Sequence, residues 1–309
     1  MPGAALLAAL LTVAPLSLQE EAERALPRDA AGALMDVSTG RLLALVRPGE
    51  LATRGHPPGS LMKLVVAWAA IRADMATRSF ECTGRDLHRG KVRLCWRRDG
   101  HGRLGLRQAI AESCDVWFYK MARLLGPARL LQAARDLGLG RITGSDVSGE
   151  AAGTLPDPLP ELSAPDFAVG RMEGLEITGL QALSLVGAIA NGGTLWSPRS
   201  AGEPSACGKV GSREELEDLV RGMRDAVQSG TGAAASDLPI AGKTGTAPVR
   251  GQEEPLAWFA GFAPDDAPQV AVVVFVPEGL GARDAAAAAS DLVRVYFQWR
   301  DRGEPGRLP

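Results

Sequence analysis

The sequence contains few of the residues on which several common kinds of site depend. Of its 309 residues, three are histidine, two are tyrosine and four are cysteine. The net charge is −2, and no basic stripe with interleaved aromatic residues occurs, which disfavours nucleic-acid binding. None of the histidines accompanies a Gly-x-Ser-x-Gly motif, so a Ser-His-Asp hydrolase site is not expected. Catalytic groups must therefore be sought in motifs that do not use histidine.

Long apolar runs are also scarce. After the first 20 residues, no segment is long and apolar enough to span a bilayer. Residues 1–20 begin with an apolar run and end in an acidic one, and they predict a signal peptide or a membrane anchor. A helix packed on the domain is the alternative. We expect export to the periplasm or to the outer face of the cytoplasmic membrane, where this segment could attach the protein.

The remaining pattern predicts one folded unit over residues 28–300, with a short tail at 301–309. Strands are predicted over residues 31–46 (a hairpin), 238–247, 256–263 and 269–276; helices are predicted over 60–71, 104–111, 116–122, 128–137, 177–191, 214–227 and 282–299. The strands fall near both chain ends and most helices fall between them. The fold class is therefore α+β, with an antiparallel sheet built from both chain ends, flanked by helices, and an inserted all-helical lobe. A cleft between the lobes is the expected site.

Ser60 and Lys63 lie at the start of an apolar segment, after Pro57-Pro58-Gly59. One helical turn separates them, so their side chains share a face. A serine hydroxyl is a good nucleophile only beside a base, and a lysine serves as base only where burial or another cation lowers its pKa. The alternative is an ordinary helix N-cap followed by a surface lysine.

Two more polar motifs follow in the chain. Ser113 and Asp115 flank Cys114 in a short loop between two apolar helices, where either could simply cap the second helix. The segment Lys243-Thr244-Gly245-Thr246 resembles the end of a phosphate-binding loop. That loop requires glycine at the position of Asp237, so we reject nucleotide binding and predict a strand edge instead.

Cys82 and Cys95 bracket a polar segment of the chain. In an exported protein they could form a disulfide, whereas in a cytosolic protein they would remain free thiols. A zinc site would have to recruit His88 and His101 with the two cysteines, and that spacing fits no familiar zinc finger. The sequence therefore predicts no metal site.

The order Ser-x-x-Lys, Ser-x-Asp, Lys-Thr-Gly resembles the penicillin-binding protein transpeptidases and the serine β-lactamases. Flanking segments such as 177–181, 190–193 and 257–264 extend the resemblance over about residues 30–300, closest to the class B transpeptidases of elongation and division. Two departures stand out. Asp115 occupies a position where many relatives have asparagine, and Arg171-Met172 replace a Gln-Gly pair.

The resemblance implies a role for each motif residue. Ser60 would attack the substrate carbonyl and form an acyl-enzyme, neutral Lys63 would take its proton beside a cationic Lys243, and Ser113 would pass a proton to the leaving amine. Backbone N–H groups of Ser60 and Thr246 would form the oxyanion hole. The implied substrate-binding residues are Asp115, Thr244, Gly245 and Thr246, with Lys243 beside them.

The implied function is a serine DD-transpeptidase or DD-carboxypeptidase acting on D-Ala-D-Ala stem peptides of peptidoglycan and inhibited covalently by β-lactams. The alternatives are an oxacillinase-type β-lactamase and a weakly catalytic, penicillin-binding scaffold module. The resemblance implies no metal or organic cofactor. It implies stem peptides, β-lactams and envelope proteins as partners, and no nucleic acid.

Overall fold

The computed structural model describes residues 16–249 and 251–303. Most of the predicted signal peptide or anchor, and residues 304–309 of the predicted tail, lie outside the described residues. Within the described residues, no helix is both long and apolar enough to cross a membrane.

The helices are α1 (Leu18–Ala25), α2 (Pro48–Ala52), α3 (Met62–Arg72), α4 (Leu106–Ala111), α5 (Asp115–Asp136), α6 (Ala164–Ala168), α7 (Gly179–Asn191), α8 (Glu217–Gln228) and α9 (Ala286–Asp301). The strands are β1 (Ala31–Asp36), β2 (Leu42–Val46), β3 (Phe80–Cys82), β4 (Arg85–His88), β5 (Lys91–Leu94), β6 (Gly102–Leu104), β7 (Thr194–Trp196), β8 (Ala206–Lys209), β9 (Ala241–Ala247), β10 (Leu256–Ala263) and β11 (Val270–Val276).

A five-stranded sheet in the order β2-β1-β11-β10-β9 organises the fold. All neighbouring strands are antiparallel; Ala33 lies opposite Val273, and Trp258 lies opposite Gly245. Strands from the two ends of the chain thus pair in the middle of the sheet, as the sequence predicted. Strand β9 is an end strand, which leaves one of its edges available to the cleft described below.

Both faces of the sheet are covered, which explains why its strands read as continuous apolar runs rather than alternating ones. On β11, Val273 packs into the core beside α7, whereas Val272 and Val274 pack into a second core beside α1 and α9. All of β10 and β11 is buried.

The inserted lobe is not exclusively helical. The segment around Cys82 and Cys95, for which the sequence predicted no strand, forms two small sheets in which β3 pairs with β6 and β4 pairs with β5. These strands are short and largely exposed, so their sequence shows little of the apolar alternation that marks a strand. Charged side chains attach them to the helices: Arg93 pairs with Asp166, and Asp86 pairs with Arg123.

Helix α1 extends the folded unit toward the N-terminus. Ser17 caps it in a reciprocal pair with Glu20, and Leu18 and Ala22 are buried against the sheet and α9. Helix α1 follows most of the segment predicted as a signal peptide or anchor, and it packs on the folded unit together with the strands and helices after residue 28.

Candidate active site

The turn that carries Ser60 is pressed against the end strand of the sheet. Residues Gly59–Leu61 form one turn of 3-10 helix before α3, and Ser60 is half-buried. Gly59 has φ +53°, and a β-carbon there would lie 2.6 Å from the carbonyl oxygen of Thr246. Glycine is required by both the conformation and the contact. The close approach places the backbone of Ser60 beside that of Thr246.

Lys63 is fully buried at the base of this turn. Its Nζ donates hydrogen bonds to the carbonyl oxygen of Ser113 (2.7 Å), to Ser113 Oγ (3.0 Å) and to Asp115 Oδ1 (2.6 Å). These three bonds use all the donors of an ammonium group. The first and second sequence motifs, 50 residues apart, are thus joined by one side chain.

Asp115 is the buried counter-ion of Lys63, with 1% of its side chain exposed. Its other oxygen, Oδ2, accepts a hydrogen bond from the backbone N–H of Trp96 (3.0 Å) and lies 3.7 Å from the guanidinium of Arg171. Burial alone would raise the pKa of Asp115. The charges of Lys63 and Arg171 and the two hydrogen bonds outweigh it and hold the pKa below its ordinary value.

Ser113 sits between two lysines. Lys63 Nζ and Lys243 Nζ donate to its hydroxyl oxygen at 3.0 and 2.9 Å. Its backbone adopts a left-handed φ of +49°, which is uncommon for a residue other than glycine and is consistent with a functional position. The loop thereby aims the hydroxyl at the space between the two amines.

Lys243, on β9, is also fully buried. Burial, and then the charge of Lys63, lower the pKa of Lys243 well below its usual value, with partial opposition from Asp115. The family resemblance implied a cationic Lys243 and a neutral Lys63. In the structure Lys63 is the lysine paired with a carboxylate, and Lys243 is the one whose charged form is disfavoured.

Thr244 and Thr246 line the cleft from β9. Thr244 Oγ1 is hydrogen-bonded to Thr231 Oγ1 (2.9 Å), and Thr246 Oγ1 accepts from the N–H of Gly281 (3.1 Å). At Gly245 a β-carbon would lie 2.8 Å from the carbonyl oxygen of Pro58, so glycine lets the Ser60 turn approach the strand. Thr231 was not predicted as a site residue from the sequence, although it lies in a Ser-Gly-Thr-Gly segment after α8.

A cleft of about 720 Å³ brings the three motifs together. Its walls include Ser60, Ser113, Asp115, Thr244 and Thr246, a size and lining suited to a peptide or a small molecule. A larger cleft, of about 970 Å³, lies elsewhere and is lined by residues such as Trp68 and Arg129. None of the motif residues lines it, so the chemistry assigns the site to the smaller cleft.

A second polar cluster lies behind the Ser113 loop. Cys82, Cys95, His101 and Cys114 place one ligand atom each within 4.8 Å of one another. His101 Nδ1 lies 3.5 Å from the sulfur of Cys82 and 3.6 Å from that of Cys95. A hydrogen bond between the Cys95 and Cys114 thiols lowers the pKa of Cys95 and raises that of Cys114.

The cluster fits a zinc ion of the structural type. Zinc takes three thiolates and one imidazole in a closed tetrahedron with bonds of about 2.0–2.3 Å, which modest movement of these side chains would give. In the structure Cys82 and Cys95 are free thiols, so the disulfide considered from the sequence is not formed. His88, the other histidine considered for zinc, is not part of the cluster. A bound ion would tie β3 and β6 to the loop that carries Ser113 and Asp115.

Comparison with known proteins identifies the family of the chain. The family model described as "Penicillin binding protein transpeptidase domain" matches residues 30–294. Stage V sporulation protein D of Bacillus subtilis is 30% identical over 269 residues, which cover 77% of this chain and 42% of that protein. Peptidoglycan D,D-transpeptidase MrdA of Acinetobacter baumannii is 28% identical over 292 residues, covering 79% of this chain and 42% of that protein.

Solved structures share the fold. The crystal structure of Pseudomonas aeruginosa PBP2 in complex with WCK 5153 has a TM-score of 0.82 at 27% identity, over 90% of this chain and 73% of that one. A peptidoglycan glycosyltransferase structure from Burkholderia ambifaria has a TM-score of 0.81 at 24% identity, over 94% of this chain and 98% of that one. The chain spans less than half the length of the two curated relatives named above. With the family model covering most of the sequence, the chain belongs to the penicillin-binding protein transpeptidase family.

Proposed function

We propose that this protein is a serine DD-transpeptidase that cross-links D-Ala-D-Ala stem peptides of peptidoglycan through an acyl-enzyme on Ser60. The observation that carries the proposal is the convergence of the Ser60 turn, the Lys63–Asp115 pair and the Lys243 strand on one cleft. The family and its curated relatives, some of them named as peptidoglycan D,D-transpeptidases, support the same reaction.

The buried network supplies a route for the proton of Ser60. Lys63, the Ser113 hydroxyl and Lys243 form a continuous hydrogen-bonded chain. A substrate carboxylate arriving at Thr244 and Thr246 favours the charged form of Lys243, which can draw a proton from Lys63 through Ser113. Lys63 then becomes a neutral amine able to accept the Ser60 proton as the hydroxyl oxygen attacks the carbonyl carbon.

The same groups serve the later steps. The tetrahedral oxyanion would lie between the backbone N–H groups of Ser60 and Thr246, whose segments are in direct contact. Ser113 passes a proton to the departing D-Ala amine, and the peptide carbonyl remains esterified to Ser60. An amine of a second stem peptide then attacks the ester to complete transfer, whereas water would give carboxypeptidase activity. A zinc ion held by Cys114 and its neighbours would be structural and takes no part in these steps.

Covalent labelling tests the nucleophile. We expect a fluorescent penicillin to label the wild-type protein, the label to survive denaturation, and Ser60→Ala to abolish it. Ser200→Ala, at an exposed serine outside the cleft, is the control and should label normally. Labelling of Ser60→Ala at the wild-type rate would exclude the proposed mechanism.

Product analysis tests the reaction class. With a pentapeptide donor and an amine acceptor, mass spectrometry should detect the transfer product together with released D-Ala. Release of D-Ala without transfer would indicate a carboxypeptidase, rapid turnover of nitrocefin would indicate a β-lactamase, and labelling without any turnover would indicate a scaffold module.

The place of action follows from the substrate. Stem peptides are assembled into the wall outside the cytoplasmic membrane, so we propose that the protein acts at the outer face of that membrane or in the periplasm. One solved structure of the same fold is a Helicobacter pylori PBP2 in complex with MreC. We propose that this chain also works with envelope proteins, which affinity purification from cross-linked cells would test.

A further inference from the structure

Arg171 is a cleft residue that the proposed reaction does not use. It follows Gly170, whose left-handed backbone (φ +67°) packs so closely on Gly59 that a β-carbon would lie 2.0 Å from the Gly59 carbonyl oxygen. The backbone N–H of Arg171 donates to the carbonyl oxygen of Asp166 at 2.9 Å. Arg171 is thus fixed directly beside the turn that carries the nucleophile.

The side chain of Arg171 points into the cleft while its neighbour points away. Met172 packs against the hydrophobic core, whereas Arg171 lines the cleft with 39% of its side chain exposed. Its nearest charged contact is Asp115 Oδ2 at 3.7 Å, beyond hydrogen-bond distance. Both oxygens of Asp115 already accept shorter bonds, from Lys63 and from the N–H of Trp96. Among the hydrogen bonds of the described residues, none is donated by the Arg171 guanidinium.

The charges around the cleft are therefore unevenly arranged. Lys63 is neutralised by Asp115, and Lys243 is buried with its charged form disfavoured. Glu253, in the segment between β9 and β10, is the other exposed ionisable side chain among the described lining residues. Arg171 is the accessible cation on the Asp115 side, away from the strand-side threonines that bind the terminal carboxylate in the proposed reaction. A guanidinium with unused donors is well suited to bind a carboxylate in a bidentate manner.

We propose that Arg171 determines donor specificity by binding a second carboxylate, located next to the donor amide that would lie beside Asp115 in the proposed reaction. The inference rests on the proposed function, since it assumes an acyl donor lying between Ser60 and Asp115. The preferred donors would carry a free carboxylate near that amide, and donors with an amidated or neutral group there would react more slowly. Two carboxylates would then be recognised at opposite ends of one cleft.

A pair of penicillins isolates this contact. Carbenicillin differs from benzylpenicillin by one carboxylate on the carbon next to the side-chain amide, so the ratio of their acylation rates reports on the group that Arg171 would bind. We expect Arg171→Gln to lower the carbenicillin-to-benzylpenicillin ratio by about tenfold, the scale of a charge-assisted hydrogen bond. Arg171→Lys should give an intermediate ratio, and added salt should lower the ratio only where the cation is retained.

The controls separate this inference from the proposed function. Arg129→Gln removes an exposed arginine that lines the other cleft and should leave the ratio unchanged. A thermal melt establishes that Arg171→Gln is folded, and covalent labelling dependent on Ser60 establishes that the acylation chemistry stands. If the variant is folded and labelling depends on Ser60, an unchanged carbenicillin-to-benzylpenicillin ratio in Arg171→Gln would overturn the specificity role. An equal loss of rate with the two penicillins would overturn it as well. Labelling independent of Ser60 would instead overturn the proposed function.

Discussion

The Ser113-Cys114-Asp115 loop contributes to two buried polar clusters, and these clusters differ in how their polar groups are satisfied. In the lysine cluster, formed by Lys63, Ser113, Asp115 and Lys243, every member has a protein partner at 3.0 Å or less. The thiol cluster is formed by Cys82, Cys95, His101 and Cys114. Its His101 Nδ1 lies 3.5 Å from the sulfur of Cys82 and 3.6 Å from that of Cys95, and His101 Nε2 is buried without a partner.

This difference indicates how each cluster is stabilised. Burial of charge is costly unless opposite charges and hydrogen bonds compensate it within the protein. The lysine cluster contains its own compensation and can exist in the protein alone. The thiol cluster is held by weaker hydrogen bonds to sulfur and contains no ion pair, and its four ligand atoms lie close enough together for a metal ion to bind them.

Removing Lys63 should disrupt the lysine cluster most severely. Lys63→Ala leaves Asp115 buried without its cation, which costs about 3–5 kcal/mol of unfolding free energy, and removes the proposed base. We expect penicillin labelling to fall by more than about a thousandfold, the scale of a lost general base combined with a disordered site. Urea unfolding and labelling kinetics measure the two effects. Lys209→Ala, at an exposed lysine, is the control. If Lys63→Ala has the unfolding free energy of the wild type, the pair of Lys63 and Asp115 does not stabilise the fold.

Metal content tests the thiol cluster. We expect the purified protein to hold about one zinc ion per chain, and Cys82→Ser to lose it. Its melting temperature should fall by about 5–10 °C, corresponding to a few kcal/mol in a chain of this size. Cys207→Ser removes an exposed thiol outside the cluster and should retain the metal. Metal-free protein with two of its thiols oxidised to a disulfide would instead favour the pairing of Cys82 with Cys95.

The pH dependence of stability tests the charge state of Lys243. Its pKa in the folded state is lowered, so between that value and the unfolded value of about 10.4 the unfolded chain binds more protons. The contribution of Lys243 to the unfolding free energy therefore increases with pH through that window. Below the folded pKa, Lys243 is charged in the folded protein and the whole cost of burying that charge applies. Relative to Lys243→Met, the wild-type protein should gain unfolding free energy as pH increases. Urea unfolding measures both free energies. If their difference stays constant with pH, the pKa of Lys243 is not lowered in the folded protein.

The smallest effect concerns the hydroxyl contact at the edge of β9. Thr231→Val keeps the shape of the side chain but removes the hydrogen bond to Thr244, worth about 1 kcal/mol. We expect penicillin acylation to slow about fivefold with little change in melting temperature. Thr194→Val, at a threonine outside the cleft, is a suitable control. A loss comparable to that of Lys63→Ala would mean that Thr231 takes part in the chemistry directly.

The sequence alone identified the elements whose signals are local. The apolar runs of β10, β11 and α3 are continuous because these segments are buried on all sides, and the three motifs are recognisable because their spacing is short. Their resemblance to transpeptidases then placed Ser60, Lys63, Ser113 and Lys243 in one site before any contact was known. The paired strands at the two chain ends followed from the same patterns.

Tertiary structure decided what depends on residues distant in the chain. Lys243 contacts Ser113 across 130 positions, and burial beside Lys63, which no local pattern records, disfavours its charge. Cys114 lies close to Cys82, Cys95 and His101 through contacts between distant parts of the chain, among them the pairing of β3 with β6 that brings His101 beside Cys82. Arg171 faces the cleft because Gly170 packs against Gly59. Local spacing defines which groups can react, whereas packing determines their neighbours and hence their charge, ligands and specificity.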